Sequence, residues 1–120
     1  MGTAEVDDWI HEVKSQPGSA AIGMILAHQG IVRGTSRSGE PVRGMMLRAD
    51  RDRLEDVLAE AGIWPGVYAV RGWANEGPLS VGDDIMKVLV AGDIRDNVFA
   101  ALQRIVSLIK SEVLSESELR

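Results

Sequence analysis

The sequence contains no cysteine and only two histidines, His11 and His28. The absence of cysteine excludes disulfide bonds, thiolate metal ligands and cysteine nucleophiles. Two histidines without cysteine partners argue against a dedicated metal site, so we expect neither a metal nor another cofactor. A cysteine-free chain is compatible with a reducing compartment, and we expect a cytoplasmic protein.

The chain also lacks an excess of basic residues and any long apolar run. Its formal net charge is −5, whereas binding to a nucleic-acid backbone requires a basic face, so we expect no nucleic-acid partner. No run of about 18 apolar residues is present, so we expect no membrane span and no membrane partner. The N-terminal residues 1–8 are partly acidic and lack the apolar core of a secretion signal.

What the chain does contain is enough apolar residues for one folded core. The apolar fraction is 45% over 120 residues, which is typical of a globular protein and not of a disordered one. A chain of this length buries roughly two-thirds of the surface that its unfolded form exposes. We therefore predict a single domain over residues 1–120.

The strongest pattern lies in residues 79–113. A polar turn, in which Gly82 is free to adopt a positive φ, precedes a branched apolar run at residues 85–91 that predicts a buried strand. Asp93 is predicted to cap a helix over residues 94–113. The apolar face of that helix follows three- and four-residue spacing: Val98, Ala101, Leu102, Ile105, Leu108, Ile109 and Val113.

The remaining pattern predicts further helices and strands on either side. Helices are predicted over residues 5–16 and 51–61, the second capped by Asp50, and strands over 20–34, 42–49 and 67–73. Residues 74–78 are predicted to form a loop, and the polar tail 114–120 is predicted to fray. This order predicts an α+β fold in which helices cover a mostly antiparallel or mixed sheet.

Motifs with an unambiguous chemistry are missing. We find no nucleophile elbow, phosphate-binding loop or dinucleotide fingerprint. Asp83 and Asp84 form an adjacent carboxylate pair, but neighbouring residues of a strand point to opposite faces, so the two cannot share a site. A solvated turn is the better interpretation of this pair.

Three cations are the candidates for an anion site: Arg33 at a strand end, Arg95 in the first turn of the long helix, and Lys110 near its end. A cation at a helix N-terminus opposes the helix dipole. An anion bound together with the free N–H groups would explain Arg95. The alternative for Arg95 is a surface ion pair, for instance with Asp93 or Asp96.

Five segments share their order and spacing with one known family. They are residues 22–33 (IGMILAHQGIVR), 39–47 (GEPVRGMML), 77–85 (GPLSVGDDI), 95–101 (RDNVFAA) and 108–110 (LIK). Over residues 5–113 the chain resembles the large, catalytic subunit of molybdopterin synthase.

The resemblance implies a sulfur-transfer reaction. The donor is the thiocarboxylated Gly-Gly terminus of a small ubiquitin-like partner, and the acceptor is a cyclic pyranopterin phosphate. Both are anions, so the site needs fixed cations. The resemblance implies that Lys110 is the catalytic group, and that the substrate-binding residues are Ile31, Val32, Arg33, Arg95 and Lys110.

The spacing of Arg95 and Lys110 bears on the oligomeric state. They lie 15 positions apart on one predicted helix, a separation of about 22 Å at ~1.5 Å per residue. If both serve one site, Arg95 must come from one chain and Lys110 from its neighbour, as a two-fold homodimer allows. The alternative is a monomer in which the two cations are unrelated.

Four residues, at three places in the chain, depart from the pattern of the family. Ile94 stands where the family has histidine, Ala74 and Asn75 stand where it has a His-Arg pair, and Ser117 stands where it has a second lysine. Loss of one of two cooperating catalytic groups costs orders of magnitude in rate. Three hypotheses remain open: a weakened synthase subunit, a non-catalytic paralogue that binds a pterin, another phosphate or the sulfur carrier, and an interaction domain without a small-molecule site.

Overall fold

A computed structural model describes residues 5–120 and confirms the α+β class. The helices are α1 Val6–Ser15, α2 Arg51–Ala61 and α3 Arg95–Leu108. The strands are β1 Met24–Ile31, β2 Gly44–Ala49, β3 Val67–Ala74, β4 Gly77–Ser80, β5 Asp84–Gly92 and β6 Leu114–Leu119. A 3₁₀ turn, Ser19–Ala21, precedes β1, and a π-helical turn, Ile109–Val113, continues α3. Among these helices, none is long and apolar enough to cross a membrane.

The strands form two three-stranded sheets, in the orders β1-β5-β3 and β4-β2-β6. Within residues 5–120 every pair of neighbouring strands is antiparallel. The turn before β5 contains Gly82 at a φ of 94°, as its position in the sequence predicted. The two sheets therefore each have one central strand, β5 in the first and β2 in the second.

The central strand β5 is buried on both faces. On one face Val88 and Val90 join the core that also contains Ile105 of α3. On the other face Leu89 packs in a smaller cluster with Val13 of α1. Burial on both sides explains why residues 85–91 of this strand are apolar except for Lys87, instead of alternating between apolar and polar.

The prediction that the tail frays was wrong. Residues 114–119 form β6, which runs antiparallel to β2 with Leu47 opposite Glu116 and Met45 opposite Glu118. The end of the strand is fixed by a hydrogen bond from the Arg43 backbone N–H to the Leu119 carbonyl, 2.7 Å long. The strand forms hydrogen bonds with the backbone N–H and C=O groups of β2, and this pairing does not require apolar side chains.

The predicted loop at 74–78 and the predicted helix 94–113 also need correction. Gly77 already belongs to β4, because it pairs with Leu47 of β2. The long helix is α-helical only as far as Leu108, and its last five residues form the π-helical turn. Strand β1 is likewise shorter than the predicted 20–34.

The two predicted helix caps had different outcomes. Asp50 caps α2, since its carboxylate accepts a hydrogen bond from the Arg53 N–H at 3.0 Å. At α3 the cap residue is Ile94, and the Asp93 carboxylate instead accepts the Asn97 side-chain amide at 2.9 Å and the Ile94 N–H at 2.6 Å. These two hydrogen bonds, the Asn97 bond foremost, lower the pKa of Asp93 below its usual value.

Candidate functional site

A pocket of about 370 Å³ lies where the exit of β1, the entry to β2, the π-helical turn and β6 meet. Its lining consists of Ile31, Arg33, Thr35, Arg37, Val42, Met45, Lys110, Glu116 and Glu118. Three of the predicted site residues, Ile31, Arg33 and Lys110, therefore meet in one place. They come from segments nearly eighty positions apart in the chain.

Arg33 is positioned by the segment that leaves β1. The preceding residue, Val32, is 2% exposed, its N–H donates to the Asp83 carbonyl and its own carbonyl accepts from the Gly82 N–H, both at 2.9 Å. Val32 is thus an anchor of the fold and does not line the pocket. The Arg33 Nε donates to the Thr35 carbonyl at 3.0 Å, which fixes the base of the guanidinium group at the pocket.

Arg37 is a third cation of the pocket, and the sequence interpretation missed it. It belongs to a short loop that is closed by a bridge between Thr35 and Pro41. Inside the loop the Ser36 hydroxyl accepts from the Glu40 N–H at 3.2 Å. The only signal in the sequence was an arginine in the polar segment between two strands that both supply pocket residues.

Lys110 lies in the π-helical turn between two buried residues of that turn, Ile109 and Val113. Single π turns inside helices are frequent at functional sites, because the extra residue redirects a side chain. Lys110 is also close enough to His28 of β1 for its charge to act on that residue. The pKa of His28 is lowered below its usual value, mainly by burial and secondly by the charge of Lys110. The His28 Nδ1 atom is buried and has no hydrogen-bond partner in the described part of the chain.

The charges of the pocket are present but not paired with one another. Within residues 5–120 none of its three cations, Arg33, Arg37 and Lys110, forms an ion pair. Of its two carboxylates, Glu118 accepts from Arg120 at 3.3 Å and Glu116 forms no ion pair in this part of the chain. The pocket therefore offers free cationic groups to an anionic ligand.

Arg95 lies outside this pocket, at the first residue of α3. The alternative of an ion pair with Asp93 or Asp96 is not realised, since Arg95 forms no ion pair among residues 5–120. Next to it, Ile94 is 57% exposed and Phe99 is 51% exposed. The start of α3 thus presents an unpaired cation beside two exposed apolar side chains.

The remaining family positions that differ here do not contribute to the pocket. Ala74 is fully buried, and the Asn75 side chain is engaged with the backbone, donating to the Asp84 carbonyl and accepting from the Glu76 N–H, both at 2.9 Å. Ser117 is opposite Met46, on the face of β6 that points away from Lys110.

Two other cavities lie near the pocket. A groove of about 440 Å³ between α3 and β1 is mostly apolar, lined by Leu26, His28, Phe99, Leu102, Gln103, Val106 and Ser107. A larger depression of about 650 Å³ lies where β2, β4 and β6 meet the π-helical turn. Two of its acidic side chains are engaged in ion pairs, Glu76 with Arg51 at 3.6 Å and Glu112 with Arg53. The lining of this depression contains one cation, Arg48, and three acidic residues, whereas the smaller pocket around Lys110 contains three cations and two acidic residues. The smaller pocket is therefore the better anion site.

Comparison with solved structures supports the fold. Molybdopterin synthase from Staphylococcus aureus is 18% identical with a TM-score of 0.77, over 97% of this chain and 85% of that chain. The molybdopterin biosynthesis MoaE protein from Burkholderia ambifaria MC40-6 is 23% identical with a TM-score of 0.74, over 99% and 82%. A complex of subunits 1 and 2 of molybdopterin-converting factor from Helicobacter pylori 26695 contains a chain that is 14% identical with a TM-score of 0.69, over 96% and 78%.

Comparison with curated individual proteins gave no match. The sequence itself, however, matches the family model described as MoaE protein over residues 3–112. That match includes β1, the loop with Arg37, α3 and Lys110, and ends before β6 begins. Because it spans nearly the whole chain, the chain belongs to the MoaE family.

Proposed function

We propose that the chain is the large-subunit component of a molybdopterin synthase and acts in molybdenum cofactor biosynthesis in the cytoplasm. In this role it transfers sulfur from the thiocarboxylated C-terminus of a small ubiquitin-like subunit to cyclic pyranopterin monophosphate. The observation that carries the proposal is the cluster of unpaired cations, Arg33, Arg37 and Lys110, in one pocket of a MoaE-family chain. The likeness to the Helicobacter pylori two-subunit complex supports a small-subunit partner.

The pocket residues divide into charged and apolar groups with different roles. Arg33 suits a phosphate or carboxylate, because its planar fork donates two parallel hydrogen bonds. Lys110 is a compact charge that can hold the partner's thiocarboxylate, and it can stabilise the carboxylate that forms when a water molecule replaces the transferred sulfur on the partner's terminal carbon. Ile31 and Met45 supply an apolar wall against which a flat pterin ring can pack.

We further propose a homodimer in which Arg95 of a second copy completes the site. Arg95 does not line the pocket of its own chain, and 14 residues of α-helix start at it before the π-helical turn that holds Lys110. The apolar groove between α3 and β1, with exposed Phe99 at its edge, is a surface on which the α3 helix of a second copy can pack. An antiparallel pair of α3 helices would bring Arg95 of each copy to Lys110 of the other.

A second candidate function is binding without catalysis. Ser117 points away from the pocket, and Asn75 is engaged with the backbone, so neither supplies the group that the family has at its position. Under this alternative the chain binds a pterin phosphate or the sulfur-carrier subunit and forms no product. Binding of the thiocarboxylated small subunit without dithiolene formation, measured on the same sample, would establish it over the synthase reaction.

The decisive test is sulfur transfer from a thiocarboxylated small subunit to cyclic pyranopterin monophosphate, with detection of the dithiolene. We expect Lys110→Ala to abolish product while the protein stays folded, because an exposed lysine in a helical turn contributes little stability. Lys14→Ala, on α1 and outside the pocket, is the matched control and should retain full activity. Product formation by Lys110→Ala at the unmodified rate would remove Lys110 from the mechanism.

A separate test addresses the proposal that Lys110 of one copy and Arg95 of the other form one site, and it uses two inactive variants. Arg95→Ala and Lys110→Ala are each expected to be inactive as homodimers. A heterodimer of the two carries one site with both changes and one site with neither, so mixing the variants with subunit exchange should restore activity. No recovery from a mixture shown to contain heterodimer, or a monomer by sedimentation, would contradict the shared site.

A further inference from the structure

The acidic strand β6 supplies two carboxylates, Glu116 and Glu118, to the pocket that holds Arg33 and Lys110. Their orientation follows from the strand register. Directly opposed residues of antiparallel strands share a face, and Glu116 and Glu118 are opposite Leu47 and Met45, which are 1% and 8% exposed. Both carboxylates therefore project to the side of β6 that faces the core and the pocket.

The surrounding contacts hold β6 against the pocket. The backbone N–H and the Nε of Arg43 donate to the carbonyls of Leu119 and Arg120, each at 2.7 Å. Arg120 forms ion pairs with Glu40 and Glu118. Because both the strand backbone and the following residue, Arg120, are fixed, the two carboxylates are constant parts of the pocket and not groups on a loose tail.

The two carboxylates do not form ion pairs with the pocket cations. Neither approaches Arg33, Arg37 or Lys110 within the 4.0 Å of an ion pair among the described residues. An anion that enters the space between them gains attraction from three cations and meets repulsion from two carboxylates. Glu116 contributes more of that repulsion, because Glu118 is partly neutralised by Arg120.

We propose that Glu116 and Glu118 are specificity-determining residues that weaken the binding of simple anions to this pocket. A small inorganic anion then binds poorly, and a ligand is held only if it adds contacts to the apolar wall or donates hydrogen bonds to the carboxylates. This inference rests on the proposed anion site, and it concerns the selectivity of that site.

The experiment measures sulfate binding by chemical-shift changes of backbone amides at neutral pH and constant ionic strength. Sulfate is the probe because its charge does not change near neutrality. We expect the Glu116→Gln/Glu118→Gln variant to bind sulfate about tenfold more tightly than the unmodified protein, and Glu116→Gln alone to account for most of the gain. Glutamine keeps the shape of the side chain, so β6 should stay paired with β2.

The matched control is Glu55→Gln/Glu60→Gln, which removes the same charge from the exposed face of α2. It should change sulfate affinity by less than about twofold, because both side chains are exposed and lie outside the pocket lining, where salt screens their charges. Adding Lys110→Ala to the tight-binding variant should abolish the gain.

The outcomes separate the inference from the proposed function. Equal sulfate affinity in the unmodified protein and the Glu116/Glu118 variant, with shifts at Arg33 and Lys110 in both, would overturn the role of the carboxylates and leave the anion site standing. No shift at Arg33, Arg37 or Lys110 in any variant would overturn the anion site itself, and the selectivity inference with it.

Discussion

Strands β5 and β6 are both regular and both antiparallel, but they form for different reasons. β5 lies between β1 and β3, and its residues 88–91 are fully buried. β6 is an edge strand beside β2, and every residue of it after Leu114 is exposed. Burial of side chains stabilises β5, whereas β6 is stabilised by backbone hydrogen bonds to a strand that otherwise has a free edge.

This difference between β5 and β6 explains why the carboxylates of the pocket come from β6. A strand whose side chains fill the core cannot also present carboxylates to a ligand. β6 contributes only Leu114 to the core, so Glu116 and Glu118 are free to line the pocket. The strand with the weakest pattern in the sequence is therefore the one that changes the chemistry of the candidate site.

The largest loss of stability is expected from a substitution that creates a cavity beside β5. Leu89→Ala should lower the free energy of unfolding by about 2–5 kcal/mol, because it removes a fully buried side chain between α1 and the sheet. Urea denaturation measures the loss. Ser115→Ala on β6 is the control, with an expected change within about 0.5 kcal/mol. A loss below about 1 kcal/mol for Leu89→Ala would contradict the packing described here for β5.

Deletion of residues 115–120 should have a smaller effect. We expect a folded protein that is less stable by about 1–2 kcal/mol, because each lost hydrogen bond contributes only ~1 kcal/mol net and the freed residues regain conformational entropy. Faster hydrogen exchange should be confined to the amides of β2 and its neighbours. Unchanged exchange in β2 would show that β6 is not paired with it in solution.

The change in stability with pH that His28 contributes should be smaller than the effects of either of these two changes. Its pKa is lowered from 6.5 in the folded state, by burial and then by Lys110, so on acidification the unfolded chain takes up this proton first. Stability therefore decreases as the pH falls through about 6.5, and this contribution should disappear in His28→Asn. Lys110→Ala should raise the pKa of His28 towards its usual value, as an NMR titration would show. Titration of His28 at or above 6.5 in the unmodified protein would contradict the arrangement.

The smallest effect is expected from restoring the lysine of the family at Ser117. Because Ser117 is opposite Met46, on the face of β6 away from the pocket, Ser117→Lys should leave stability within about 0.5 kcal/mol. Sulfate affinity should also stay unchanged. Glu116→Lys is the variant to compare with it, because this change places a cation beside Arg33 and Lys110 and should tighten sulfate binding. A gain from Ser117→Lys would show that the register of β6 is shifted.

Much of the fold could be predicted because the elements concerned carry their own pattern. The helical spacing of Val98, Leu102 and Ile105 placed α3, the branched apolar run placed β5, and Asp50 marked the start of α2. Of the site, Arg33 and Lys110 could be selected, because they are cations at the ends of elements that could be recognised.

The sequence by itself determined the elements whose side chains are buried, and from them the α+β class and the acidic, cysteine-free chemistry of the chain. Only the tertiary structure decided that β2 has an edge for β6 to fill, that Arg37 joins Arg33 and Lys110, and that Glu116 rather than Ser117 faces them. The physical reason is that a buried side chain leaves a periodic pattern in its own segment. A backbone pairing or a charge placed across a pocket depends on a distant segment, which no local pattern records.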